Sequence, residues 1–170
     1  MQPDPIDARV RADIDCHGWH VVIVPPDGSA PGWAHSIGLF ERYRHPELLV
    51  FGSEPHQLGA VLNTLGERVR GGQHFAAEEE VQGILAGLPF AFRPVAPRWT
   101  SVFLGNAAWH YQREDFPRLQ GFWPDRDGLF PWQRGCTPEV VAEQPQLAHA
   151  ELHLALSERL LATLLREGAL

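Results

Sequence analysis

Apolar and polar residues change their period several times along this chain. Trp19-His20-Val21-Val22-Ile23-Val24 is rich in β-branched residues and runs into Pro25-Pro26-Asp27-Gly28, which predicts a strand and a turn. Trp33 to Leu39 predicts a second strand, antiparallel to the first. Leu48-Leu49-Val50-Phe51 is apolar at every position, as in a short strand buried on both faces. The period then becomes helical. Leu58, Val61, Leu62, Leu65 and Val69 share one face. Ser53 offers a cap and Pro55 sits in the first turn, where a missing N–H costs nothing. Arg68 and Arg70 suit the last turn, and Gly71-Gly72 ends the helix.

Beyond it, Glu78-Glu79-Glu80 reads as an acidic loop or strand edge. Leu88 to Val95 predicts a strand closed by Pro97, and the spacing of Phe103, Ala107 and His110 predicts a helix over 99–112. Leu119 to Trp123 predicts the last strand, and Thr137-Pro138-Glu139 a helix start. From Leu147 the chain is Leu-rich. Leu152, Leu154, Leu156, Leu160, Leu161, Leu164 and Leu165 spread over an arc too broad for one buried stripe. Such a helix packs on its own domain or pairs with a second copy. The first thirteen residues read as a loose start or a short helix. The pattern predicts an α+β fold, with a mixed, mostly antiparallel sheet flanked by helices and a Leu-rich C-terminal helix. The expected organisation is an N-terminal extension over 1–15, a single domain over 16–147, and a helix over 148–170 that is a candidate dimerisation element.

Composition removes whole classes of chemistry. The chain has 170 residues and a net charge of −7, and every one of its 14 basic side chains is Arg. Without Lys there is no Schiff-base chemistry and no P-loop. A pI near 5.7 and no basic run argue against nucleic-acid or anionic-membrane binding. No apolar run approaches the about 18 residues that span a bilayer, and the N-terminus has no basic-then-apolar leader. The expectation is a soluble, cytoplasmic protein whose two cysteines, Cys16 and Cys136, are free thiols. No dinucleotide glycine motif or nucleophile elbow occurs, so a dinucleotide site has no support and the cofactor is left unknown by the sequence. Proton transfer near neutral pH falls to nine His residues and the carboxylates.

Four groups could carry chemistry. Asp125 and Asp127 lie in Trp123-Pro124-Asp125-Arg126-Asp127-Gly128, flanked by Phe130 and Trp132. The two carboxylates could act as base or bind a ligand, or they could simply organise the turn, since Asp bonds local backbone and Gly supplies positive φ. Cys16-His17-x-x-His20 opens the first strand region. Across a hairpin His20 could meet His35 and begin a metal site, although hydrogen-bonded histidines are the commoner outcome. His45-Pro46-Glu47 could be an acid–base pair, or Glu47 could form a structural ion pair with Arg42 or Arg44. No serine or cysteine sits in a recognised nucleophile signature.

These segments together resemble a known family. Gly32-Trp33-Ala34-His35-Ser36-Ile37-Gly38-Leu39 is similar to an aromatic-Ala-Tyr-Thr-Ile-Gly-Leu pattern, with His35-Ser36 where the family often has Tyr-Thr. His45-Pro46-Glu47-Leu48, Leu62-Asn63-Thr64-Leu65-Gly66 and Trp123 to Trp132 follow in the same order. That order resembles the bacterial domain-of-unknown-function family DUF4262 over about Cys16 to Leu147. The resemblance implies one compact domain and no mechanism. Two functional expectations follow from the residues. In the first, a small molecule binds in a pocket with His35, His45, Glu47, Asp125 and Asp127 as catalytic candidates, and Trp33, Trp123, Arg126 and Trp132 as binding residues. In the second, the chain is a noncatalytic interaction module that works through its Leu-rich C-terminal helix, as a homodimer or with a partner.

Overall fold

The computed structural model describes residues 5–28 and 30–149. The Leu-rich segment expected to form a C-terminal helix lies outside the described residues. The chain builds α1 (Pro5–His17), β1 (His20–Val24), β2 (Gly32–Ile37), α2 (Leu39–Tyr43), β3 (Glu47–Gly52) and α3 (Pro55–Arg70). It continues through β4 (Glu80–Leu85), β5 (Leu88–Pro94), a 3₁₀ turn (Pro97–Trp99), α4 (Thr100–Phe103), α5 (Gly105–Tyr111), β6 (Arg118–Phe122) and α6 (Pro138–Glu143).

The six strands form one sheet in the order β1-β2-β3-β6-β5-β4. Among the described residues only the central pair, β3 and β6, is parallel, and every other pairing is antiparallel. The fold is therefore α+β with a mixed, mostly antiparallel sheet. β3 is buried at all six positions because it is covered on both faces. Its even residues Leu48 and Val50 pack with Leu58, Leu62 and Leu65 of α3. Its odd residues Leu49 and Phe51 pack with Val10 and Ile14 of α1 and with Phe103 and Ala107 of α4 and α5. On that second face, farther along the sheet, Phe130 packs with Ala91 and Phe122, and Trp132 packs against them.

Several local expectations change. Cys16 and His17 end α1 and do not begin β1, and α1 contributes Val10 and Ile14 to the core. α3 starts after Glu54, which sits at the cap position without a side-chain cap bond; Ser53 is one residue too early. The helix expected over 99–112 is a 3₁₀ turn and two short helices, interrupted at Leu104 with φ −124° and ψ 31°. α2 was not expected, and of the edge strand β4 only its acidic start at Glu80 was. β4 alternates too weakly to be noticed, with Gly83 inside it at positive φ. α2 is a single turn held from outside its own sequence, as described next. Cys16 and Cys136 are both free thiols.

Candidate functional site

The residues expected to form one pocket lie in separate parts of the molecule. Glu47 is at the start of β3, fully buried. Its Oε1 accepts the N–H groups of Gly38 at 2.9 Å and Phe40 at 3.0 Å, and the hydroxyls of Tyr111 and Ser36 also donate to the carboxyl. Ser36 Oγ in turn accepts the Leu48 N–H at 2.9 Å. Glu47 thus caps α2 from across the fold, satisfying the N–H groups a helix start leaves open. Burial pushes its carboxyl pKa up, offset in part by these donors. Burial and the neighbouring carboxyl push the Tyr111 phenol up as well. The partners of Glu47 are hydroxyls and amides, not the Arg42 or Arg44 guanidinium expected from the sequence, and both of those arginines are exposed.

His45 does not meet Glu47. Its Nδ1–H donates to the Pro46 carbonyl at 2.7 Å and its Nε2 accepts the Phe75 N–H at 3.0 Å. Both ring nitrogens are used by backbone, and burial lowers the pKa to about 4. His35 is likewise interior; its Nδ1 bonds the Ser36 carbonyl at 3.1 Å and burial lowers its pKa to about 4. Trp33 donates its Nε1–H to the Phe103 carbonyl at 3.1 Å.

At the other end of β3, Trp123 donates Nε1–H to the Phe51 carbonyl at 2.8 Å. Asp125 is an organiser of its own loop. Oδ1 accepts the N–H of Asp127 at 3.0 Å and of Leu129 at 2.9 Å, and Oδ2 accepts the N–H and hydroxyl of Thr137, each at 3.0 Å. These bonds, the Leu129 N–H first, hold its carboxyl below the usual range. Arg126 and Asp127 are exposed on the tip of the turn. Trp132 stacks on Phe130 with ring planes 5° apart, and the Arg93 guanidinium lies 3.7 Å over it. These groups are fixed by the fold, at both ends of β3 and on different faces of the sheet.

The remaining motif has the same character. Leu62 and Leu65 are core, Asn63 Oδ1 accepts Trp19 Nε1–H at 3.1 Å, and Gly66 lets the indole pass so close that an added Cβ would lie 2.3 Å from Trp19 Cε2. Leu62-Asn63-Thr64-Leu65-Gly66 is the seat of Trp19.

A cleft of about 420 Å³ opens beside that seat, next to the sheet-edge strand β1. Arg9, Asp13 and His17, four residues apart, line it from α1; Asn63 and Glu67, also four apart, line it from α3. Such spacing places each set on one helix face. His20 stands between them, with Nδ1 2.6 Å from Asp13 Oδ2. The side chains remain 16% and 35% exposed, so the pair is in reach of a ligand. An ionised Asp13 accepts from Nδ1–H, which puts the lone pair of the neutral imidazole on Nε2. Glu67 is held by Arg70, while Arg9 forms no ion pair with another described residue. His20 and His35 project from the same face of the first hairpin, where His35 pairs with Val22 and His20 with Ile37. Each spends Nδ1 on a different acceptor. Among the described residues, no three His, Cys, Asp or Glu side chains are placed to hold a metal ion. His20 stands out in the sequence, whereas Asp13 and Arg9 do not. Their signal was present as Arg9-x-x-x-Asp13-x-x-x-His17, visible only once α1 is known to be a helix that faces β1.

No helix among the described residues is long and apolar enough to cross a membrane. A search of curated proteins and a search of solved structures each returned no match. A family model described as a domain of unknown function, DUF4262, matches residues 13–137. The match covers most of the chain, from Asp13 through the loop that Asp125 organises, and the chain belongs to that family.

Proposed function

We propose that this DUF4262 protein binds a small anionic molecule in the cleft between α1 and α3 and uses His20, oriented by Asp13, as a general base on it. The observation that carries the reading is the 2.6 Å Asp13–His20 contact in the wall of an open polar cleft. A carboxylate on one imidazole nitrogen fixes the tautomer and stabilises the imidazolium formed when the other nitrogen takes a proton. Arg9 supplies a fixed cation for a carboxylate or phosphate group, and its planar fork can bind either with two hydrogen bonds. Asn63 and His17 add polar contacts along the same walls.

The chemistry needs only these side chains. Nε2 of His20 accepts a proton from a bound hydroxyl, from water or from an acidic C–H. Asp13 stays ionised and stabilises the charged ring. Arg9 holds the anionic end of the ligand, fixing which atom faces Nε2.

Calorimetric titration with acetate, lactate and inorganic phosphate tests the binding half of this reading. Binding to the natural protein that is lost in Arg9→Ala and weakened at least tenfold in His20→Ala supports it. No binding of any of the three, or equal binding by both variants, overturns it.

A further inference from the structure

A second cleft, of about 490 Å³, lies at the opposite end of the sheet from Glu47, where β3 ends at Gly52 and β6 ends beside Trp123. These are the carboxyl ends of the one parallel strand pair. The two chains diverge there. After β3 the chain turns into α3 on one face, while the loop after β6 carries Phe130 and Trp132 onto the other. Crevices outside the carboxyl ends of diverging parallel strands are where open sheets bind ligands. The cleft has an apolar floor of Leu58, Val61, Leu85, Leu88 and the Trp123 indole. Two carboxylates, Glu54 and Glu143, stand among its lining residues, and no Arg or His does. Neither carboxylate has an ion-pair partner among the described residues. The Glu54 side chain makes no cap bond to the helix start it precedes.

We propose that this cleft is a binding site for a small amphiphilic cation, with an aromatic or branched apolar body against Trp123 and Leu58 and an ammonium or guanidinium group between Glu54 and Glu143. A volume of this size suits a ligand of drug-like dimensions, for which a mostly apolar wall with a few placed polar groups is the usual design. The Trp123 ring is fixed by its bond to the Phe51 carbonyl, so it is already in place when the ligand arrives. An indole face attracts a cation, and a chain of net charge −7 draws one from solution. Glu54 and Glu143 repel an anion of the same shape, and this separates the site from the Arg9 cleft, which selects the opposite charge.

Three probes of matched shape test this on the full chain: phenethylammonium, 2-phenylethanol and 3-phenylpropanoate. Binding is followed by the NMR shift of the Trp123 indole N–H. The cation should bind about tenfold more tightly than the alcohol, and the anion least. The Glu54→Gln, Glu143→Gln double variant should lose about fivefold in cation affinity and leave the alcohol unchanged. His20→Ala should bind all three as the natural protein does, so the outcome is independent of the other cleft. Equal affinities for the three probes, an unmoved Trp123 signal, concentration-dependent self-association through this face, or undiminished cation binding by the double variant would each overturn the proposal.

Discussion

Acidification from pH 7.5 to 5.5 should weaken this fold, and buried histidines set the size of the loss. His35 is 1% exposed and its pKa is lowered by burial from 6.5 to about 4. In the unfolded chain it titrates normally. Between 6.5 and 4 the unfolded state therefore binds the proton and the folded state does not. Stability is complete above 6.5 and falls as pH drops through that window. At pH 5.5 the unfolded imidazole is about 90% protonated, and linkage gives a loss of about 1.4 kcal/mol for such a residue. His45 acts in the same direction, since its pKa is also lowered to about 4. His45 is itself 1% exposed, with its ring 4.8 Å from that of His74, so it contributes a similar amount, and His35 and His45 together should cost about 2.8 kcal/mol. Glu47 has the opposite slope. Its carboxyl pKa is raised by burial, so the folded state favours the protonated form and loses that advantage as pH rises. Urea unfolding at pH 7.5, 6.5 and 5.5 reads the balance. The His35→Gln variant, whatever its absolute stability, should lose roughly half of the acid-side slope, and Glu47→Gln should steepen it. A urea midpoint equal at pH 7.5 and 5.5, or a His35→Gln slope equal to that of the natural chain, would rule out the buried histidines as the source of the acid sensitivity.

Three further outcomes follow from packing and hydrogen bonding. Gly66→Ala pushes a methyl into the Trp19 indole and should cost about 2 kcal/mol or more in urea unfolding, with altered Trp fluorescence. Glu47→Ala leaves the Gly38 and Phe40 N–H groups and two hydroxyls without their acceptor, and should cost about 3 kcal/mol by the same assay. Asp125→Ala removes four donors' common acceptor; limited proteolysis should cut within 125–137 faster than in the natural chain while the rest of the domain persists.

Strands were legible where sequence pattern and burial agreed. Leu48 to Phe51 is apolar because β3 is covered on both faces, and Trp19 to Val24 is β-branched before a Pro-Pro turn. α2 was not legible, because its start is stabilised by Glu47, seven residues beyond Phe40 in the chain. Glu47 and Asp125, in motifs that carry the family resemblance, were candidates for chemistry, and each is bonded to the backbone around it. Glu47 caps α2 and Ser36 holds the Glu47 carboxyl, Asn63 and Gly66 seat Trp19, and Asp125 ties its own loop. Asp and Glu with several backbone donors look, in sequence, identical to catalytic carboxylates; only the count of donors around each separates them. The Asp13–His20 pair was hidden for the converse reason. Its two members are seven residues apart and belong to different elements, so no local pattern joins them.

The most direct test of the central claim is the nitrogen NMR spectrum of His20, assigned with His20→Gln as control. The Asp13 contact requires a proton on Nδ1 and an unprotonated Nε2 whose signal moves when phosphate or lactate is added. A proton on Nε2, or an Nε2 signal that neither anion shifts, would contradict it.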